Sequence, residues 1–107
     1  MAFSKRNKFP PEEIRLANIA RALSHPARVV ILRQLAAIGT RGFYEISKEL
    51  PLADSTVSQH LTELRKAGLI ESIYRPPRIF YKINSDNWKQ ARRYLKEFSK
   101  IKQSDIQ

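Results

Sequence analysis

Residues 54–70 read DSTVSQHLTELRKAGLI, and the division of this stretch into two faces decides the fold. On a helix advancing about 100° per residue, Val57, Leu61 and Leu64 fall within about 60° of one another and make the apolar stripe that a core requires. Measured from Val57, the opposite side carries Ser55, Gln59, Thr62 and Lys66. Ser58 and Thr56 flank that side, and Arg65 lies nearer the core edge. Gly68 ends the helix. Ser, Thr and Asp gather at helix starts because their oxygens cap free N–H groups, so Asp54 or Ser55 is expected to cap this one. Capping explains one or two of these residues, not a polar stripe that continues to Thr62. Gln can bond an adenine edge, and Ser or Thr can serve base edges or phosphates. The helix start itself offers backbone N–H groups to a phosphate. His60 sits about 60° off the buried stripe and leaves three readings open: a packing residue, a phosphate ligand or a pH-sensitive group.

The neighbours of this helix give it a setting. Upstream, Tyr44 to Leu50 makes one or two helical turns with Ile46 and Leu50 four apart, and Pro51-Leu52-Ala53 is a tight turn. A short helix, a three-residue turn and a second helix with a polar front describe a helix-turn-helix. Downstream, LIESIYR and RIFYKI are β-rich runs joined at Pro76-Pro77, which reads as a hairpin. Alternation of Ile79, Tyr81 and Ile83 marks the packed face of its second strand. A basic hairpin directly behind a helix-turn-helix makes this the winged variety. Arg75 and Arg78 flank the stiff turn, where two guanidinium groups suit a minor groove or a row of phosphates.

Farther out, Pro10-Pro11-Glu12-Glu13 opens a helix that runs to Leu23, with acids facing the positive end of its dipole. Leu16, Ile19, Ala20 and Leu23 share one face of it, whereas Ile14 and Ala17 lie elsewhere. Ser24 or His25 caps the next helix, over residues 26–38, and Gly39 stops it. Thr40 to Phe43 is short and extended. Ser85 is expected to cap a last helix reaching about Lys102. The predicted order is α-α-(β)-α-α-β-β-α: mainly helical, with a small hairpin. Residues 1–10 form a basic N-terminal arm, 11–102 the winged helix-turn-helix domain and 103–107 a tail.

The chain has 107 residues, 42% of them hydrophobic, which is enough for one globular domain but marginal for a large core. Its net charge of +10 is unevenly spread. Residues 1–10 hold three bases and no acid, residues 11–74 hold eight bases and seven acids, and residues 75–102 hold nine bases and two acids. Such asymmetry points to a polyanionic partner, with nucleic acid first and an anionic membrane surface second; the helix-turn-helix setting makes that nucleic acid double-stranded DNA. In the last helix Trp88, Ala91, Tyr94, Leu95, Phe98 and Ile101 cover one broad face, and Lys89, Arg92, Arg93, Lys96 and Lys100 another. A basic amphipathic helix can lie on a membrane, but aromatic and leucine side chains at this spacing more often pack protein. A second copy of the chain is the simplest cover for two terminal helices with apolar surface to spare. The expected dimerisation residues are Leu16, Ile19, Trp88, Ala91, Leu95 and Phe98, and no membrane partner is expected. Absence of cysteine excludes disulfides and thiolate metal sites and fits a cytoplasmic protein. There is no phosphate-binding glycine loop and no clustered His, Asp and Glu set, so no enzyme is expected.

Three stretches, ALSHPARVVILRQL, EISKELPLADSTVSQHLTELRKAGLIES and RIFYKIN, together resemble the ArsR-type winged-helix repressors over roughly residues 18–84. The STVSQHL…LRKAGLI run is similar to the recognition helix of that family. The resemblance implies a homodimer, formed mainly by the first and last helices, that binds an operator as a transcriptional regulator. It also exposes a departure. Where the family's metal sensors carry Cys-Val-Cys, this chain has Gly42-Phe43-Tyr44, and residues 85–102 contain no histidine for the other common site. No metal site and no cofactor are therefore expected, and the effector, if any, is left open.

The resulting expectation is a homodimeric, sequence-specific DNA-binding repressor. Ser55, Thr56, Ser58, Gln59, His60, Thr62 and Arg65 belong to its recognition helix, over residues 54–67, and Arg75 and Arg78 to its wing tip at 75–78. The competing expectation is a winged helix that binds an acidic protein partner without reading DNA sequence.

Overall fold

The computed structural model describes residues 8–106. The helices are α1 (Pro11–Ala22), α2 (Pro26–Ile38), α3 (Phe43–Ser47), α4 (Asp54–Lys66) and α5 (Ser85–Phe98). Three strands, β1 (Arg41–Gly42), β2 (Ile70–Arg75) and β3 (Arg78–Ile83), form an antiparallel sheet in the order β1-β3-β2. This is the expected winged helix-turn-helix. The extended piece before α3 becomes the third strand, with Arg41 opposite Tyr81 and Gly42 opposite Phe80. The basic arm expected at residues 1–10 lies outside the described residues except for its last three.

The core gathers beneath the helix-turn-helix. Ile31, Ile46, Val57, Leu61, Leu64 and Leu69 are its most deeply buried large side chains, so the predicted stripe of α4 is the stripe that packs. The two helices of the motif are also tied by a polar contact: the buried Ser47 hydroxyl donates to Asp54 Oδ1 over 2.5 Å. Gly68 has φ +79°, a left-handed conformation that turns the chain from α4 into β2. A Cβ there would meet Asn87 Nδ2 at 3.0 Å, and that amide donates to the Gly68 carbonyl over 2.9 Å. The C-terminal end of α4 is thus fastened to the first turn of α5.

Several local expectations change. Ala53, not Asp54 or Ser55, is the N-cap of α4, and no side chain accepts from its first turn. The Asp54 carboxylate is drawn instead to Ser47. Asn84 rather than Ser85 caps α5, accepting from the Asn87 N–H over 3.0 Å. That helix ends at Phe98, short of Lys102, where the Ser99 hydroxyl donates to the Lys96 carbonyl over 2.7 Å and competes with the helical ladder. His25 caps α2, its Nδ1 accepting from the Ala27 N–H over 3.0 Å. Along β3, Tyr81 is buried and Ile83 half-buried, but Ile79 near the tip stands exposed.

Candidate nucleic-acid interface

The front of α4 is exposed where the sequence places a reading surface. Ser55, Ser58 and Gln59 are exposed, and their side chains have no hydrogen-bond partner among the described residues. With Ala53 as N-cap, the first-turn N–H groups also lack a side-chain acceptor. An uncapped helix start beside exposed amide and hydroxyl groups can take a phosphate and place bonding groups against base edges. Thr56 is half-buried. Thr62 is half-buried too, and its hydroxyl donates to the Ser58 carbonyl one turn back, over 3.0 Å. Arg65 is exposed with no ion pair among the described residues, and Lys66 lies 3.9 Å from Glu63.

His60 does not join this surface. It is buried, 8% exposed, and packs against the start of α2. Its Nδ1 accepts from Arg28 Nε over 3.1 Å, and its ring lies 4.3 Å from the His25 ring, centroid to centroid. The expected contact from His60 to DNA is corrected to a packing contact. An offset of about 60° from the apolar stripe leaves a side chain at the core's edge, and the second helix of the pair decides its fate.

The wing is likewise more tightly bound than its sequence suggests. Arg75 and Arg78 face each other across the hairpin, and both guanidinium groups lie over the Phe80 ring, at 5.8 and 4.8 Å from its centroid. Arg78 also pairs with both carboxylate oxygens of Glu45 on α3, the second at 2.8 Å. The Arg78 guanidinium bonded to Glu45 holds that carboxyl below the usual carboxylate range. Gly42 makes the pairing possible. A Cβ at that position would fall on the Arg78 guanidinium and 2.7 Å from Glu45 Oε1. Arg78 is therefore neutralised within the molecule, while Arg75 has no ion pair among the described residues. Glu45, Phe80 and Gly42 are the site residues that sequence reasoning missed. Only the β1–β3 register, Gly42 opposite Phe80, brings them together.

A second basic surface runs along α5. Lys89, Arg92, Arg93 and Lys96 are exposed and have no ion pair among the described residues, and they line an open groove of about 640 Å³ with Asp86 and Gln90. Of the expected dimerisation residues, Ile19 and Ala91 are buried within the protomer, because α1 and α5 pack against each other there. They are corrected to core positions. Leu16, Trp88 and Leu95 are half-buried, and Phe98 is exposed.

Comparison with known proteins agrees with this geometry. The family model described as bacterial regulatory protein, arsR family, matches residues 25–72, from the cap of α2 into β2. The HTH-type transcriptional regulator YgaV of Escherichia coli is 36% identical over 70 residues, covering 65% of this chain and 71% of that protein. The chain belongs to the arsR family. It is a transcriptional regulator with a DNA-binding winged helix, not an enzyme. Another relative within reach of this arsR-family chain is the biofilm growth-associated repressor of Xylella fastidiosa, 31% identical over 68 residues, 64% of this chain and 59% of that one. Among solved structures, the homodimeric winged helix-turn-helix DNA-binding domain from Mycobacterium bovis superposes with a TM-score of 0.66 at 29% identity, covering 89% of this chain and 84% of that one.

The family's name evokes metal sensing, but the donor set here does not fit a metal. The chain has no cysteine, and among the described residues no group of three or more His, Asp and Glu could hold an ion. In both histidines Nδ1 already accepts an N–H bond. Among the described residues, no helix is long and apolar enough to cross a membrane.

Proposed function

We propose that this arsR-family regulator acts as a homodimeric, sequence-specific repressor whose α4 enters the major groove. The observation that carries the reading is the exposed face of Ser55, Ser58 and Gln59, hydrogen-bonding groups that nothing among the described residues uses. Gln59, in the second turn of α4, is the side chain best suited to a bidentate bond with an adenine edge. Thr56 and Thr62 border the same face, and Arg65 supplies a phosphate contact farther along. In the wing, Arg75 is the free phosphate ligand and Arg78 a ligand in reserve, paired with Glu45 until a phosphate competes for it.

Leu16 and Phe98 line one groove of about 360 Å³ between α1 and α5, which supports these helices as the surface between two copies, whereas Trp88 lines a separate groove against α2 and β3. Two protomers would then read half-sites about one helical turn, ~10 bp, apart or a multiple of it. Repression follows the relative from Xylella fastidiosa, whose name describes a repressor. The unpaired cations of α5 favour one other reading, a surface for an acidic protein partner. A gel-shift series with selected and random DNA against rising salt separates the two. The regulator reading requires a selected sequence to bind tighter than random DNA at every salt concentration. Equal binding of both would contradict it.

A further inference from the structure

His60 is the buried ionisable side chain of the recognition helix, and the core does not require an imidazole at that place. It follows Gln59 directly and anchors the turn that carries Ser58 and Gln59 against the start of α2. The contact depends on a lone pair. Arg28 Nε, a permanent donor, points at His60 Nδ1 over 3.1 Å, and Arg28 is held in turn by its Nη1 donating to the Arg21 carbonyl over 3.3 Å. The His25 ring covers the other side at 4.3 Å, tilted by 39°. We propose that His60 is a positioning residue for DNA recognition, holding α4 in its reading position only while its ring is neutral. The proposal rests on the reading of α4 as the recognition helix.

The chemistry of protonation supports it. An imidazolium has no lone pair, so a proton on Nδ1 sets donor against donor at the Arg28 contact. It also adds a positive charge next to Arg28 and His25, both from the start of α2. Among the described residues no acid pairs with His60 to compensate. From α1, Arg21 offers only its carbonyl to Arg28. On α4 itself Glu63 lies toward Lys66, and on β2 Glu71 pairs with Lys82 at 3.4 Å. Burial first, then His25 and Arg28, hold the His60 ring below the usual imidazole range. The sign follows from linkage. The unfolded imidazole takes its proton first as pH falls, so the contact contributes fully above the ordinary imidazole range. Its contribution is lost as pH falls through that range toward the lower folded value.

DNA binding alone would move the other way, because acidification adds positive charge and tightens polyanion binding. The direction of the pH effect is therefore diagnostic. We would measure affinity for a selected operator and for random DNA by fluorescence anisotropy between about pH 7.5 and about pH 5.5. Operator affinity should fall roughly fivefold or more, the usual lower range of coupling between sites, while random DNA holds or tightens. In His60→Asn, an amide oxygen near the Nδ1 position can accept from Arg28 and does not titrate, so operator affinity should stay level. A wild-type operator affinity that is constant or rises on acidification overturns the proposal, as does a His60→Asn protein that weakens like the wild type. If His60→Asn fails to fold, an NMR titration of both wild-type imidazoles decides. Loss of operator binding must follow the His60 signal, and loss that follows His25 or neither ring overturns the proposal. Absence of any operator preference at the higher pH would instead overturn the recognition-helix reading.

Discussion

The recognition helix and the wing both turn polar side chains outward, but the molecule holds them in opposite ways. On α4 the outward groups Ser55, Ser58 and Gln59 are uncharged and have no hydrogen-bond partner among the described residues. On the wing the outward groups are long arginines laid over Phe80, with Arg78 also bonded to Glu45. The hydroxyls of Ser55 and Ser58 lose little conformational entropy on binding, and contacts to base edges from a rigid helix suit discrimination. Guanidinium groups that must first leave a carboxylate suit contacts whose strength depends on what replaces it. The comparison teaches that exposure and charge do not by themselves make a DNA contact. The partner already in place decides how much charge a side chain has left to offer.

The largest expected effect tests the foundation of α4 rather than its face. Leu64→Ala empties a fully buried position under the reading surface and should cost about 2–5 kcal/mol in denaturant unfolding. A loss well under that range would mean that the stripe does not anchor the helix. Gln59→Ala should leave stability unchanged and remove about 1–3 kcal/mol of preference for the selected operator over a site altered at one base pair. Competition binding checks it, and an unaltered preference would move base reading away from Gln59.

The wing predictions are smaller. Arg75→Ala should flatten the plot of log affinity against log salt by about 0.9, one phosphate's worth, and Arg78→Ala by less. Glu45→Gln should release Arg78 and steepen the same plot. Equal slopes for the two arginine variants, with no change for Glu45→Gln, would erase the contrast between free and committed guanidinium groups. Smallest of all is Ser55→Ala. A side chain that capped α4 would cost about 1 kcal/mol on removal. Here the expected change in thermal unfolding is within about 0.5 kcal/mol, because Ala53 is the cap residue and the Ser55 side chain has no hydrogen-bond partner among the described residues.

Those contrasts also mark how far the sequence could be read. The stripe of Val57, Leu61 and Leu64 was legible because helical spacing alone sets it, and the hairpin because β-rich runs flank a proline turn. From these the winged helix follows, and with it the exposed Ser55, Ser58 and Gln59. What escaped depends on neighbours distant in the chain. Asp54 looked like a cap until Ser47 on α3 took its carboxylate. Arg78 looked free until the strand register brought Glu45 and Phe80 to it. His60 lay between two faces, and Arg28 and His25 on α2 drew it inward. Ile19 and Ala91 looked like surface for a second copy because the mutual packing of α1 and α5 could not be seen from either helix alone.

The central claim is that the exposed face of α4 reads DNA sequence. The most direct test is selection of bound DNA from a random pool, carried out in parallel with the wild-type protein and Gln59→Ala. The account predicts that the wild type enriches a two-fold symmetric motif, with half-sites about one turn or a multiple of it apart. Gln59→Ala should enrich the same spacing with one position in each half-site relaxed. A pool that enriches no motif, or the same motif at full sharpness for both proteins, would contradict it.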